Sequence, residues 1–323
     1  MPRKEASPFA VIGIDVGGTK IAGGIVYYTS READPEVRLY RSVPTEAKRG
    51  GAAVLDTIVA LVGELLDSAS ETVGGPVLGV GVAAAGRISQ TDGSIAYANE
   101  ILPGWTGQPV QARLESTYHL PASVLNDVQG HALGELRHGA ARGCQTCIMV
   151  AVGTGLGGSI VVNGDVLGGA HGFAGELGHT LNPAAAGVRC ACGADGHLES
   201  IASGSGIENR YVALGGEPLS GAEISRRAAQ GEELAQRVIE LAGHSLGESI
   251  GSWATMIDPE LVVLSGSVTK AGDAWRAALQ RGLEEQLPIE MRALPIVEAK
   301  LGNNAPIIGA AERVLDKITK LLA

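Results

Sequence analysis

The sequence predicts an α/β protein built as two lobes of similar plan, and three observations predict it. An apolar run, a glycine-containing turn and a second apolar run follow one another twice, at FAVIGID–VGGTK–IAGGIVYY (9–28) and IMVAV–GTGLGG–SIVV (148–162). A second pattern also recurs: PVLGVGV (76–82) empties into AAAGR (83–87), and LVVLS (261–265) empties into Gly266. Elsewhere apolar residues fall at helical spacing, most clearly over 52–68 and after residue 200. Each lobe is therefore expected to be a sheet with helices packed on it, and 323 residues are ample for two cores. A glycine turn from each lobe would face the other across a cleft, a favoured place for ligands.

Composition narrows the function classes. The chain is 45% hydrophobic and 19% charged, which makes it globular rather than disordered. A net charge of −10 argues against a nucleic-acid surface, since phosphates need cations to neutralise them. Four cysteines in a chain this long are no disulfide framework and point to a reduced, cytoplasmic setting. The opening MPRKEASPF lacks a signal peptide's apolar stretch, and no apolar run reaches membrane-spanning length. Residues 1–8 read as a loose tail.

In order, 9–15 is a buried strand, 16–20 a turn and 21–28 a second strand. Gly17 and Gly18 are expected to supply backbone geometry that other residues resist and to leave room for a ligand. Asp15 at the strand end, with Thr19 and Lys20 beyond, adds a carboxylate suited to a hydrated metal ion beside donors suited to phosphate oxygens. No GxxxxGK[ST] occurs, so this is not a Walker-type loop. Residues 29–44, polar with Pro35 and Pro44, read as an exposed hairpin or loop. A helix follows over 52–68, then the strand 76–82 and a loop opened by Gly86 and Arg87. Asn99 lies in the turn-rich YANEILPGW, where a turn role outweighs a ligand role.

LPASVL (120–125) leads into Asn126 and Asp127 and a helix to about residue 138. For an Asn-Asp pair at such a junction, helix capping and ligand contact weigh evenly. Cys144 and Cys147 form a CxxC, but Cys147 runs straight into a strand, so both read as buried thiols without a chemical role. After 148–162 come Glu176 and His179, then Cys190, Cys192 and His197, then Glu199. Helices are expected at 203–214, 220–230, 232–257 and 271–286, the second opened by a Ser220/Glu223 capping box. A last strand spans 296–301, and Pro306 starts a terminal helix to about residue 322.

These motifs resemble those of the ROK family (repressors, open-reading-frame proteins and sugar kinases), within the actin-like, ribonuclease H-like ATPase fold. IDVGGTK (14–20) is similar to the family's first phosphate loop, VAVGTGLGGSIVVNGDVLGGAHGFAGELGH (150–179) to its defining pattern, and CACGADGHLE (190–199) to its CxCGxxGCxE zinc element. The match runs in order over nearly the whole chain. The resemblance implies an α/β, two-lobed actin-like fold with an interlobe cleft: an N-terminal lobe over 1–125, a C-terminal lobe with the zinc element over 126–302, and a terminal helix, 303–323, returning to the first lobe. It implies an ATP-dependent hexose kinase, most readily a glucokinase, because NEILPGW looks like the glucokinase version of that loop. An amino-sugar kinase (N-acetylmannosamine, N-acetylglucosamine or kanosamine type) is the alternative. A sugar-sensing regulator is disfavoured, because family repressors carry a DNA-binding domain ahead of the first phosphate loop and only about ten residues precede it here.

By the same resemblance, Asp15, Gly17, Gly18, Thr19 and Lys20, with Thr154 and Gly155, would hold the phosphates of ATP and its Mg²⁺. Ser265, Gly266 and Ser267 would meet the adenosine, where the family more usually has GGG. Asn126, Glu176, His179 and Glu199 would hold the sugar, with Gly86 and Asn99 nearby, and Asp127 would be the general base. A structural Zn²⁺ would take His179, Cys190, Cys192 and His197, the last standing where the family has Cys; zinc accepts either. One ring nitrogen of His179 would bind zinc and the other would donate to a sugar oxygen. ATP is the expected donor, with polyphosphate the alternative; the partners are small molecules, not nucleic acid or membrane. Family members are commonly homodimers or homotetramers.

Overall fold

The computed structural model describes residues 7–99 and 102–322. Residues 1–6 of the expected tail, and Glu100 and Ile101 of the NEILPGW loop, lie outside that range. Contacts divide the chain into two compact units: Met1–Gly143 with Gly168–Ala174 and Lys300–Ala323, and Cys144–Leu167 with Gly175–Ala299.

The first unit opens with β1 (Phe9–Val16), β2 (Lys20–Tyr28) and β3 (Glu36–Pro44), followed by α1 (Gly51–Thr72) and β4 (Val77–Ala84). Then come the two-residue β5 (Arg87–Ile88), β6 (Ile95–Tyr97), α2 (Val110–Tyr118), β7 (Ala122–Asn126) and α3 (Asp127–His138). Among the described residues one sheet runs β3-β2-β1-β4-β7, with β1, β4 and β7 parallel and β2 and β3 antiparallel. β1 and β4 are buried almost throughout, as near-continuous apolar runs in a doubly covered sheet should be. α1 lays Val54, Ile58, Leu61, Val62 and Leu65 on this sheet, residues spaced along one helical face.

The second unit holds β8 (Cys147–Val152), β9 (Leu156–Val162), β10 (Asp165–Val166), α4 (Glu199–Ala202) and α5 (Gly204–Ala213). It continues with α6 (Gly221–Ala229), α7 (Glu233–Ile257), β11 (Leu261–Ser265), α8 (Asp273–Gln286) and β12 (Ile296–Glu298). Its sheet runs β10-β9-β8-β11-β12, and its core joins Val150, Val152 and Val262 to Leu246, Ile250 and Trp253 of α7 and Trp275 of α8. The chain then returns to the first unit with α9 (Ala305–Leu322).

α9 packs against β1, β4 and α3, and Ile307, Ile308, Ala311 and Val314 share a core with Val11, Val26 and Tyr28. Backbones approach closely there: a Cβ on Gly13 or Gly81 would strike the carbonyls of Ile307 and Ala310. Glu135 of α3, fully buried, fixes the point of return. Its carboxylate accepts the N–H groups of Ala140 (2.7 Å), Lys300 (3.1 Å) and Leu301 (2.7 Å). A division after residue 125 therefore does not describe the contacts. α3 belongs with α9, so the first unit continues to Gly143, and the return begins at Lys300.

Two elements leave little signal in the sequence, although the first agrees with the hairpin reading of 29–44. The stretch read as an exposed hairpin or loop contains β3, an edge strand whose mostly exposed side chains give no alternating signal. α2 buries only Val110 and Leu114, too few to mark a period.

Candidate functional site

In the first unit the expected residues gather at the carboxyl ends of parallel β1, β4 and β7, where open α/β sheets place their ligands. Asp15 pairs in register with Ala83 of β4, and Ala84 with Asn126 of β7. The turn after Asp15 closes with Gly17 N–H donating to Lys20 O (3.0 Å). Buried Thr45 braces it, its hydroxyl donating to Gly17 O (2.7 Å) and its N–H to Thr19 O (3.0 Å). Gly17 and Gly18 do not have positive φ, so the expectation of a special backbone conformation fails there. Thr19 and Lys20 are exposed.

Gly86 does need its freedom. Its φ is 103°, and a Cβ would lie 2.7 Å from Tyr97 O. The loop it sits in is pinned by Ala85 N–H donating to Val16 O (2.8 Å), the Trp105 indole N–H donating to Ala85 O (3.1 Å) and the Asn126 amide donating to Gly86 O (3.0 Å). Asn126 is a full capping box for α3: its Oδ1 accepts from Val128 N (2.9 Å) and Gln129 N (3.3 Å), and Gln129 Oε1 accepts from Asn126 N (3.4 Å). Two N–H groups thus already occupy the amide oxygen, which leaves it no acceptor for a sugar hydroxyl. What remains to it is an N–H donor. Asn99 is exposed on its turn.

Asp127 follows the cap as the first residue of α3, and burial raises its pKa, against backbone hydrogen bonds from Val128 and its own N–H. Asp15 is pushed up to about 7, by burial first and then by the Asp127 carboxylate, with Lys20 opposing. Two carboxylates that resist joint ionisation suit a proton acceptor beside a cation.

In the second unit the glycine turn joins β8 to β9, closed by Gly153 N–H donating to Gly155 O (2.9 Å), with Thr154 and Gly155 exposed. Gly153 and Thr154 border a cavity of about 510 Å³ whose walls include Ser205, Ile207, Ser225, Val268 and Lys270. Ser267 also lines it, at the exit of β11. Gly266 has φ 97°, and a Cβ there would overlap the Val152 carbonyl, so the middle residue of Ser265-Gly266-Ser267 must be glycine. Neither flanking serine needs positive φ, which explains why serines are tolerated there. Sequence reasoning missed Ser205, Ile207, Ser225, Val268 and Lys270. Only the small-residue run Ser203–Gly206 at the start of α5 hinted at them.

The same unit carries the metal-type cluster. Cys190 N–H donates to Ala194 O (2.8 Å) and Gly193 N–H to Cys190 O (3.0 Å), a tight turn that presents both Cys190 and Cys192. A bridge between Leu181 and His197 brings in His197, and a 3-10 turn, Leu177–His179, brings in His179. The ligating atoms of these four residues lie within 4.8 Å of one another. Cys190 Sγ is 3.8 Å from His179 Nδ1 and Cys192 Sγ 3.1 Å from His197 Nδ1. Tetrahedral zinc, with bonds of about 2.3 Å to sulfur and 2.0 Å to nitrogen, separates such atoms by ~3.5 Å, so the donor set and its spacing fit. Burial pushes the Cys190 thiol up to about 11. Cys144 and Cys147 are buried elsewhere and are not part of the cluster.

With Nδ1 of His179 toward Cys190, its Nε2 lies 3.8 Å from Glu176 Oε2. Gly178 packs on Leu156, so this pair sits beside the strand that leaves the glycine turn. Glu199 heads α4, and its Oε2 accepts the N–H of Leu156 (3.0 Å).

Comparison with known proteins extends this picture. The ROK family model matches residues 11–317. The glucokinase of Halalkalibacterium halodurans is 32% identical over 313 residues, 92% of each chain. The N-acetylmannosamine kinase of Shigella boydii is 34% identical over 305 residues, 93% of this chain and 96% of that one. The crystal structure of a ROK family glucokinase from Streptomyces griseus, in complex with glucose and AMPPNP, superposes with a TM-score of 0.74 at 28% identity, covering 95% of this chain and 99% of that one. With its motifs in order and its α/β units formed as the actin-like fold requires, the chain belongs to the ROK family.

Proposed function

We propose that this protein is an ATP-dependent sugar kinase that transfers the γ-phosphoryl group to a hexose hydroxyl, with glucose as the first-choice acceptor. The observation that carries the reading is a nucleotide-sized cavity, about 510 Å³, ending on the Gly153–Thr154 turn. Such turns present backbone N–H groups to phosphate oxygens. The AMPPNP and glucose complex of the Streptomyces griseus relative supports the same donor and acceptor.

A sugar hydroxyl is a poor nucleophile and must lose its proton as it attacks phosphorus. Asp127 is the base in this reading, its burial-raised pKa favouring proton uptake. Asp15 is the candidate for holding hydrated Mg²⁺, which offsets charge on the phosphates when bound. Glu176, Glu199 and Nε2 of His179 would take the sugar hydroxyls, and the remaining Asn126 N–H would donate to one. His179, Cys190, Cys192 and His197 would hold Zn²⁺, whose contribution is structural: four protein ligands fix the loop and leave no open position. His179 would then be locked with Nε2 toward the sugar. The presence of both glycine turns and Asp127 disfavours a sensing protein without catalysis. No helix among the described residues is long and apolar enough to cross a membrane.

N-acetylmannosamine is the second reading, because relatives of that name match as closely as the glucokinases. A coupled ADP-release assay with Mg·ATP over glucose, N-acetylmannosamine, N-acetylglucosamine and kanosamine tests both. Glucose is expected to turn over fastest. Selective turnover of an amino sugar moves the substrate, and tight sugar binding without turnover of any sugar overturns the kinase reading.

A further inference from the structure

Glu199 stands between the metal-type loop and the glycine turn and touches both. Its Oε2 accepts the Leu156 N–H at 3.0 Å, and its Oε1 accepts the Cys190 thiol proton at 3.5 Å, a contact that a zinc-bound thiolate would give up. The tie to the metal-type loop that does not need that proton is Ser200, whose N–H (3.1 Å) and hydroxyl (2.7 Å) donate to His197 O. The carboxylate reaches this position because Gly155 has no side chain; a Cβ there would lie 2.9 Å from Oε2. Directly downstream, Gly204 N–H donates to Gly153 O (2.8 Å), and both the N–H (3.1 Å) and hydroxyl (2.8 Å) of Ser205 donate to Thr154 O. Peptide groups of Gly153, Thr154 and Leu156 are thus held by one continuous segment that starts at the Cys190–His197 loop.

A turn made of glycines and an exposed threonine has little of its own to fix its shape, so external ties must set where its N–H groups point. A carboxylate accepting a backbone N–H is a charge-assisted tie, stronger than a neutral one. We propose that Glu199 is a positioning residue for the phosphate-holding turn and that, through it, the metal ion held by Cys190 sets nucleotide affinity as well as carbohydrate grip. This rests on the nucleotide reading given above. The two roles of Glu199 are compatible, because a carboxylate offers about four acceptor positions and the Leu156 N–H takes one.

The test uses zinc-loaded full-length protein, calorimetric titration with Mg·AMPPNP, and hydrogen–deuterium exchange at the Leu156 amide in the nucleotide-free state. Glu199→Ala removes the tie; Glu199→Gln keeps an amide oxygen for the Leu156 N–H. Affinity for Mg·AMPPNP is expected to fall about tenfold in Glu199→Ala, the scale of one hydrogen bond to a charged group, and only about threefold in Glu199→Gln, whose neutral oxygen keeps about half the strength of the tie. Leu156 exchange should quicken in the first variant and clearly less in the second. Stripping zinc and restoring Mg²⁺ should weaken nucleotide binding in the wild type and add nothing to Glu199→Ala. Sugar affinity should fall in both variants, so a merely structural collapse and a lost sugar contact are both separated from the positioning role. Equal nucleotide affinity in wild type and Glu199→Ala overturns the proposal, as does a glutamine variant as weak as the alanine one. Should Glu199→Ala fail to fold, Leu156 exchange in the wild type with and without zinc decides, an unchanged rate overturning the proposal. A wild type that binds no Mg·AMPPNP overturns the kinase reading itself and the affinity part of this one with it.

Discussion

Replacing Asp15 by asparagine should stabilise the metal-free protein at neutral pH while removing its activity. Burial, and then the charge of Asp127, lift this carboxyl from 3.8 to about 7 in the folded chain. Below pH 3.8 it is protonated in both states and contributes nothing. Between 3.8 and 7 the unfolded chain has released the proton and the folded chain has kept it, so stability falls by roughly 1.4 kcal/mol per pH unit as pH rises. Above pH 7 the full penalty applies, with a ceiling of about 4 kcal/mol that partial solvent exposure lowers. The uncharged amide of the Asp15→Asn variant carries no such penalty. The gap between variant and wild type should be ~1.5 kcal/mol or less at pH 5 and up to ~4 kcal/mol at pH 8, where a urea slope of about 3 kcal/mol/M makes it a midpoint shift of order 1 M. Urea titrations in EDTA at the two pH values, followed by tryptophan fluorescence, measure it, since Trp105 is buried in the unit that holds Asp15. Mg·ATP-dependent turnover of the variant should be lost. A gap of equal size at both pH values, or an asparagine variant less stable than wild type at pH 8, refutes the reasoning.

Other expectations follow from the same geometry. Asp127→Ala should lower kcat by about 10²–10⁴ while sugar binding, read by calorimetry, largely survives; retained turnover removes its assignment as base. In the wild type, the acid limb of kcat/KM should lie above the ordinary carboxylate range, because burial raises the Asp127 pKa. Metal analysis should find zinc lost from Cys190→Ser and kept in Cys144→Ser; the reverse pattern would place the metal elsewhere. Glu312 is buried, which opposes its ionisation, yet His138 (3.0 Å), Arg31 (2.7 Å) and Tyr28 (2.8 Å) hold its carboxyl at about 2. It therefore contributes roughly 3 kcal/mol above pH 4.5 that disappears as pH falls toward 2, and Glu312→Gln should flatten acid denaturation across that window.

What was legible in the sequence was local. Strand–glycine–strand patterns at 9–28 and 148–162 announce themselves within a few residues, and the spacing of Cys190, Cys192 and His197 survives as the spacing of a cluster. What was hidden depends on contacts distant in sequence. The cavity beside Thr154 is assembled from α5, α6 and the exit of β11, and none of Ile207, Ser225 or Lys270 has a motif of its own. Asn126 shows the limit most plainly: capping and ligand contact ask for the same residue at the same junction, and only the hydrogen bonds to Val128, Gln129 and Gly86 separate them. Glu135 looks like a surface helix acid until Lys300 and Leu301 come back to meet it.

That late meeting bears on how the chain is made. The Val11–Val26–Tyr28 layer lacks its apolar cover until α9 emerges some 280 residues later. On the ribosome, residues 144–299 can pair their strands and bury their helices first, whereas the opening segment must wait with its inner face bare. Losing the Ile307–Leu315 stretch of α9 would therefore injure the part of the molecule that was translated earliest.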